Sequence, residues 1–279
     1  MNLKTLSITF VICALVLAAC QETIVPDEEL EVKEYICISR TRTDSSLVLP
    51  QEVINNDLLQ YDLLMLGGDL ALLSSEDTTT LSLLDAQFDL GAPTTLWAMG
   101  NHDYTDVPLA SSYTKRPTFY TFYQDGISFM VLDTQMDSCS ILGEQKQMFD
   151  NVIDTISASS HLVILHHKMI WMVDDPVLHN QIDSISNGPM GNWIFCLHPN
   201  NYLQEIYPDL VKLEQKDIDV VCIAGDIGLH VNEFEYVTPQ GVTYLATGME
   251  YSSDENKILK LTHTPDTREL TWRFEFIRK

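Results

Sequence analysis

The sequence predicts a layered α/β protein, and two features of its pattern carry this prediction. From residue 34 onward, short apolar runs that end in polar turns alternate with runs of helical periodicity. A strand-rich stretch closes the chain, and no repeat, low-complexity run or long linker divides it, so we expect one domain. Hydrophobic residues make up 45% and charged residues 20% of the 279 residues, which excludes disordered, collagen-like and multi-span membrane proteins.

The strands are predicted from compact apolar runs that end at turn-forming residues. In chain order they are 34–39, 61–66, 95–99, 118–123, 127–133, 161–165, 219–224, 233–237, 242–246, 258–263 and 269–277. The fourth and fifth flank Gln124-Asp125-Gly126, which indicates a hairpin. We expect the last four to be antiparallel.

The helices are predicted where apolar residues recur every three or four positions. They are 49–59, 82–88, 143–156 and 203–215. Segment 168–202 has no clear periodicity, and a long irregular segment of this kind is more often a functional loop than a simple connection.

The N-terminus predicts export. Residues 1–20 carry a positive charge followed by an apolar run that is too short to span a bilayer. The run ends in a small-small-Cys sequence at Cys20, which resembles the lipobox of bacterial lipoproteins and implies a lipid on that thiol. Gln21 then implies sorting to the outer membrane, facing either the periplasm or the outside. An acidic tether is predicted over 21–33 and the folded domain over 34–279; the alternative is ordinary cleavage, with Cys20 an incidental thiol.

The charge balance limits the partners. Lys plus Arg number 16 against 40 Asp plus Glu, a formal net charge of −24. A chain this acidic is a poor general binder of nucleic acid and of anionic lipid heads, so we expect no nucleic-acid partner and no membrane contact beyond the N-terminal lipid. Cys139 and Cys196 lie in predicted loops, and a disulfide between them is compatible with an oxidising compartment but stays open.

Polar clusters follow four of the predicted strands, at the point where each strand ends. They are Asp69, Asn101-His102-Asp103, His166-His167 and Asp226. In open α/β sheets ligands bind beyond the carboxyl ends of the strands, so we expect the clusters to converge. Carboxylate, amide and imidazole groups are ligands of divalent cations. Each cluster alone is more often a turn or a helix cap, but four at successive strand ends predict a metal site.

Three of these segments resemble the motifs of calcineurin-like metallophosphoesterases. They are, in family order, Gly67-Gly68-Asp69, Gly100-Asn101-His102-Asp103 and the strand ending in His166. The resemblance covers residues 34–277. It implies a four-layer α/β/β/α sandwich and phosphoester hydrolysis at a metal centre between the sheet edges.

Two family motifs are altered here. Members carry Asp-x-His after the first strand and Gly-His-x-His after a late one, and these align with Arg40-Thr41-Arg42 and Gly225-Asp226-Ile227-Gly228. The resemblance implies that one of two metal positions is lost and that the ligands of the other remain, namely Asp69, Asn101, His166 and Asp226. A carboxylate in place of an imidazole favours harder ions, and Mn, Mg, Ca, Fe and Zn are all candidates for the single divalent ion.

The resemblance also implies roles for neighbouring residues. We expect Arg40 and Arg42 to replace the charge of the lost ion and to hold phosphoryl oxygens, the alternative being a solvent-facing loop or ion pairs with nearby acids. His102, oriented by Asp103, is expected to protonate the leaving oxygen. His167 is expected on the opposite side of its strand from the ligands, behind them or in the core.

Two functions remain open from the sequence. The first is a metal-dependent phosphoester hydrolase that acts on a small phosphorylated substrate or a phosphorylated glycan. The second is a catalytically inactive lipoprotein of the same fold that binds an anionic or phosphorylated ligand. The altered motifs favour the second, and the complete remaining ligand set with His102 favours the first.

Overall fold

The computed structural model describes residues 30–277. The predicted signal segment 1–20 with Cys20, and the predicted tether up to residue 29, lie outside the described residues. Residues from Glu31 onward form one compact unit. No helix within 30–277 combines the length and the apolar character that a membrane crossing needs.

Two mixed sheets organise the chain. The strands are β1 (Lys33–Ile38), β2 (Leu63–Leu66), β3 (Thr95–Trp97), β4 (Tyr120–Gln124), β5 (Ile127–Val131), β6 (His161–His166), β7 (Asp219–Ala224), β8 (Glu233–Val237), β9 (Thr243–Thr247), β10 (Lys257–Thr264) and β11 (Glu269–Phe276). The first sheet has the order β11-β10-β1-β2-β3, and the second has the order β4-β5-β6-β7-β9-β8. Strands β1, β2 and β3 run parallel, as do β5, β6, β7 and β9, so their carboxyl ends lie along one edge of each sheet.

The helices are short. They are α1 (Gln51–Ile54), α2 (Thr78–Phe88), α3 (Val107–Thr114), α4 (Gly143–Thr155), α5 (Ile182–Ile185) and α6 (Tyr207–Glu214), with a π-helical turn at Tyr202–Ile206 leading into α6. Single 3₁₀ turns occupy Leu58–Gln60, Asp137–Cys139 and Leu178–Gln181. Helix α2 begins where the Asp77 carboxylate accepts hydrogen bonds from the backbone N–H groups of Thr79 and Thr80.

Three apolar clusters show that the fold has four layers. The two sheets face each other, and Tyr35 of the first meets Phe129 of the second edge to face with ring centroids 5.7 Å apart. The outer face of the first sheet packs on α1, α2 and α3, and the outer face of the second packs on α4 and α6. The α/β/β/α sandwich predicted for this chain is therefore confirmed.

Both faces of the central strands are buried, which explains their continuous apolar sequences. In β6, Leu162 and Ile164 point to the helices, whereas Val163 and Leu165 point between the sheets. The carboxyl ends of the two sheets are tied together where Ser39 Oγ donates a hydrogen bond to the carbonyl oxygen of Gly225 at 2.6 Å. The polar clusters meet at this junction.

Several predicted elements differ from the observed ones. Region 49–59 contains only a four-residue helix and a 3₁₀ turn, because Pro50 starts the helix and Asn55 already ends it. Helix α3 was not predicted, although Asp106 caps it and Pro108 lies in its first turn. The predicted antiparallel tail is divided between the sheets, and β9 pairs parallel with β7 while it pairs antiparallel with β8.

Candidate metal centre

Asp69 lies beyond the end of β2, in a backbone conformation that few residues adopt. Its φ is 56°, and Gly68 before it has a φ of 93°. A Cβ atom at Gly68 would lie 2.6 Å from both the backbone nitrogen of Gly100 and Nδ1 of His167. Glycine is therefore required for the strand ends of the two sheets to approach so closely.

Asp103 holds this conformation in place. Its buried carboxylate accepts hydrogen bonds from the backbone N–H groups of Asp69 at 2.7 Å, Leu70 at 3.0 Å and Gly100 at 2.8 Å. Burial, and then the charge of Asp69, raise the pKa of Asp103, and the donated hydrogen bonds oppose that rise. The expectation that Asp103 orients the His102 ring is wrong, because both carboxylate oxygens are committed to these donors.

The His102 ring is held by a backbone carbonyl instead. Its Nδ1 lies 2.7 Å from the carbonyl oxygen of Leu72, which accepts a hydrogen bond from Nδ1–H. Nε2 is then the ring nitrogen that remains for proton transfer. The backbone N–H of His102 also donates to Asp69 Oδ1 at 3.1 Å, which places this histidine directly beside the carboxylate.

His166 and His167 lie on the reverse sides of those predicted. The His166 ring packs edge to face on Trp171 at 4.6 Å, and its Nδ1 lies 2.7 Å from the carbonyl oxygen of Lys168. Burial lowers the pKa of His166 to about 3, so its ring stays neutral. His167 follows the face of Val163 and Leu165 and enters the space between the sheets. The placement of His166 among the ligands is therefore corrected to His167.

Asp69, His167 and Asp226 form a buried group that fits a divalent cation, with ligand atoms within 4.8 Å of one another. His167 Nδ1 donates to the carbonyl oxygen of Gly67 at 2.7 Å, so in the neutral ring Nε2 carries the lone pair. That atom lies 3.4 Å from Asp69 Oδ1 and 3.8 Å from Asp226 Oδ1. Within residues 30–277, no hydrogen bond satisfies it. Two carboxylate oxygens and one imidazole nitrogen that face one another in this way are suited to hold a divalent cation.

Lys168 binds the other side of this group. Its ammonium lies 2.7 Å from Asp226 Oδ2 and 2.5 Å from Asn101 Oδ1, and the side chain is fully buried. Asn187 Nδ2 donates to Asp226 Oδ1 at 2.9 Å. Burial, the largest single influence, would raise the pKa of Asp226. The charges of Lys168 and His167 and the hydrogen bonds from Lys168 and Asn187 together outweigh it, so the pKa falls below its ordinary value. Asn101, a predicted metal ligand, presents its oxygen to an ammonium instead.

The two arginines after β1 have different surroundings. Arg40 Nη1 donates hydrogen bonds to the carbonyl oxygen of Met249 and to the Glu250 carboxylate, both at 2.7 Å. Arg40 therefore forms an ion pair with a nearby acid, which was the alternative role that the sequence left open. Arg42 Nε lies 3.8 Å from Asp69 Oδ2, and among the described residues it finds no hydrogen-bond partner. Both arginines line a cavity of about 260 Å³.

The irregular segment 168–202 contributes to the site from several points. It supplies Lys168 and Asn187, and the Phe195 ring centroid lies 5.0 Å from Lys168 Nζ. A disulfide between Cys196 and Cys139 fastens the segment to the loop after β5, and their Cα atoms are 5.7 Å apart.

Four residues of the site were not predicted in these positions from the sequence: His167, Lys168, Asn187 and Phe195. Both faces of β6 are apolar, so alternation along the strand could not show which histidine faces the other sheet. Lys168 did carry a signal, since a lysine that directly follows a buried strand and precedes the apolar run Met169–Val173 has few routes to solvent. Asn187 and Phe195 lie in a segment without periodicity, and their contacts depend on the tertiary fold.

The fold and site together define a four-layer α/β/β/α protein with a buried Asp–His–Asp group between the facing edges of its sheets. Three solved structures are similar to it, each over 88% of this chain. They are NAD nucleotidase from Haemophilus influenzae (13% identity, 50% of that chain, TM-score 0.44), a dimetal phosphatase from Danio rerio (10%, 99%, 0.47) and a 5′-nucleotidase precursor from Thermus thermophilus (10%, 55%, 0.41).

The chain spans about half the length of the first and third of these proteins. The activities in these names are those of the three proteins that carry them. No family model matches the sequence, and none of the curated proteins matches it.

Proposed function

We propose that this chain is a metal-dependent phosphoester hydrolase that uses one divalent ion, held by Asp69, His167 and Asp226. The observation that carries the proposal is the convergence of three buried acceptor atoms within 4.8 Å. One imidazole nitrogen and two carboxylate oxygens are suitable ligands for Mn²⁺, Fe²⁺ or Zn²⁺. Because two of the three ligand atoms are oxygens, Mg²⁺ and Ca²⁺ are also candidates.

The charge balance supports a bound ion. The carboxylates of Asp69 and Asp226 face the cationic groups of Arg42 and Lys168, which neutralise them. The side chains alone therefore offer no excess of positive charge to a phosphate dianion. A divalent ion would supply it, and when bound it would stabilise the negative charge that develops during hydrolysis.

The residues around the ion have separate tasks. Arg42 borders both Asp69 and the cavity, and a guanidinium there is suited to bind phosphoryl oxygens. When both ring nitrogens carry a proton, His102 would deliver the one on Nε2 to the leaving oxygen, while the Leu72 carbonyl holds the one on Nδ1. Asp103 would keep Asp69 in position through the backbone N–H groups of Asp69 and Leu70, which donate to its carboxylate.

The cavity beside Arg42 supports a small substrate. Its volume of about 260 Å³ and its polar lining, which includes Tyr251 and Ser252, suit a small phosphorylated compound or a terminal residue of a phosphorylated glycan. The net charge of −24 argues against nucleic acid as a partner.

Hydrolysis of p-nitrophenyl phosphate and bis(p-nitrophenyl) phosphate by the purified full-length chain tests this function. After chelator treatment, we expect turnover to return with added Mn²⁺ and to be abolished in Asp69→Asn. His102→Gln should lower turnover by about 10²–10⁴-fold and leave Mn²⁺ binding intact. His179→Gln is a matched control, because His179 Nδ1 also lies 2.7 Å from a backbone carbonyl oxygen; it should keep the parent rate. A metal-independent rate would contradict the proposal.

A second candidate is an inactive protein that binds an anionic ligand at the same site. Lys168 favours it, because its ammonium occupies the oxygens of Asn101 and Asp226, which the family resemblance assigns to a metal. Specific binding of inorganic phosphate without ester hydrolysis, in the presence of each candidate ion, would support this function over the first.

We also propose that the chain is an exported outer-membrane lipoprotein anchored through Cys20. The Cys139–Cys196 disulfide supports an oxidising compartment. Metabolic labelling with palmitate tests the anchor: the wild-type chain should incorporate label and Cys20→Ser should not. Equal labelling of the two chains would contradict it.

A further inference from the structure

Lys168 is a lysine whose ammonium reaches no solvent. The side chain is fully buried, and its charge is matched by Asp226 Oδ2 at 2.7 Å. Asn101 Oδ1 accepts a second hydrogen bond at 2.5 Å, and the Phe195 ring faces the ammonium at 5.0 Å. These contacts use the donor directions of an ammonium group.

The partners of this ammonium come from the predicted metal-ligand set. Asn101 and Asp226 are two of the four positions that the resemblance assigns to the ion that is kept. Both oxygens lie at hydrogen-bonding distance from the ammonium, at 2.5 and 2.7 Å.

The backbone at Lys168 fixes the ammonium in this place. Its N–H donates to Thr134 Oγ1 at 3.1 Å, and its carbonyl oxygen accepts from the backbone of Ile170 at 2.9 Å and lies 2.7 Å from His166 Nδ1. These hydrogen bonds fix the point from which the side chain extends toward Asn101 and Asp226.

We propose that Lys168 is a built-in cation that occupies Asn101 Oδ1 and the second oxygen of Asp226, beside the place of the exchangeable ion. Asp226 then connects two cations, since Oδ2 binds the fixed ammonium and Oδ1 faces His167 and the exchangeable ion. This inference rests on the proposed function for the exchangeable ion. The Asp226 carboxylate is then neutralised by a charge that belongs to the protein, and a single exchangeable ion supplies the excess of positive charge.

Counting tightly bound Mn²⁺ in Lys168→Met tests the inference without any measurement of activity. Equilibrium dialysis followed by metal analysis of the full-length chain gives the stoichiometry. We expect one more Mn²⁺ per chain in Lys168→Met than in the wild type, because Asn101 and Asp226 Oδ2 become available. Lys168→Arg retains the charge and should gain none. If Lys168→Met folds poorly, Mn²⁺ should raise its Tm by more than it raises that of the wild type.

Lys257→Met is the matched control. Lys257 also pairs with a carboxylate, Glu233 at 2.7 Å, and faces an aromatic ring, Phe276 at 5.0 Å, on the surface. It should leave the stoichiometry unchanged. Equal Mn²⁺ content and equal Mn²⁺-induced Tm shifts in wild type and Lys168→Met would overturn the inference while leaving a one-ion hydrolase intact. No ion in the wild type but one in Lys168→Met would support the inference and reject the proposed function.

Discussion

Replacing Asp103 by Asn tests how the chain keeps Asp69 at a positive φ. The carboxylate of Asp103 is the acceptor for five donors. They are the backbone N–H groups of Asp69, Leu70 and Gly100, the indole Nε1 of Trp97 and the hydroxyl of Ser74. Asparagine has the same shape but offers one oxygen acceptor and one NH₂ donor, so it cannot accept all of these hydrogen bonds.

The cost follows from the geometry. The amide nitrogen is best accommodated at the Oδ1 position, where the Ser74 hydroxyl can reverse and only Leu70 N–H loses its acceptor. One buried unsatisfied donor costs about 1–3 kcal/mol, and each surviving hydrogen bond weakens by about 1 kcal/mol when its acceptor becomes neutral. Removal of a buried charge offsets part of this loss, because burial raises the pKa of Asp103. We expect the free energy of unfolding to fall by about 3 kcal/mol.

Urea unfolding measures this change, and Mn²⁺ titration measures its effect on the site. Asp106→Asn is the control, since Asp106 accepts one hydrogen bond from the backbone of Leu109 at 2.9 Å and an amide oxygen can still accept it. Its cost should be under about 1 kcal/mol. Asp103→Asn should also weaken Mn²⁺ binding, because Asp69 loses its support. A loss no larger than that of the control, with unchanged Mn²⁺ affinity, would show that Asp103 does not hold Asp69 in place.

Two further predictions concern stability. Burial lowers the pKa of His161 to about 4, so between pH 6.5 and 4 only the unfolded chain takes up a proton on this ring. The free energy of unfolding therefore falls as the pH is lowered through this range, by about 2 kcal/mol at pH 5. His161→Gln should remove this loss in denaturant titrations at pH 7 and 5, and His230→Gln, at an exposed site, should not. The Cys139–Cys196 disulfide joins two residues that are 57 positions apart in the sequence. Reducing it should lower the free energy of unfolding by about 4 kcal/mol, because the unfolded chain regains the freedom of that loop. The double Cys→Ala variant should match the reduced wild type, and a further effect of reductant on that variant would contradict the assignment.

Much of the fold could be predicted because apolar runs and turn residues are local signals. Strand β7 and strand β8 match their predicted bounds, 219–224 and 233–237. The helix at 49–59 could not be predicted correctly, because its apolar spacing resembles a longer helix and the tertiary fold allows only α1 and a 3₁₀ turn. The strands that pair with β9 could not be predicted either, because the spacing of apolar residues does not encode the order of strands in a sheet.

Some residues of the candidate site could likewise be predicted from the sequence, and others could not. Asp69 and Asp226 were found because each follows a strand whose end is marked by glycine. To choose between His166 and His167 as the histidine that faces Asp69, one must know which face of β6 meets the other sheet. The sequence does not show this, because both faces are apolar. The roles of Arg40 and Asn101 depended on Glu250 and Lys168, which are distant in sequence and reach them only in the folded chain.

Diffraction from crystals grown with Mn²⁺, collected above the manganese absorption edge, shows whether a single cation binds to the Asp69–His167–Asp226 group. We expect one anomalous peak per chain, bonded to these three residues, with the Lys168 ammonium still on Asn101. Absence of a peak at this place, or a peak that displaces Lys168 from Asn101, would contradict this expectation.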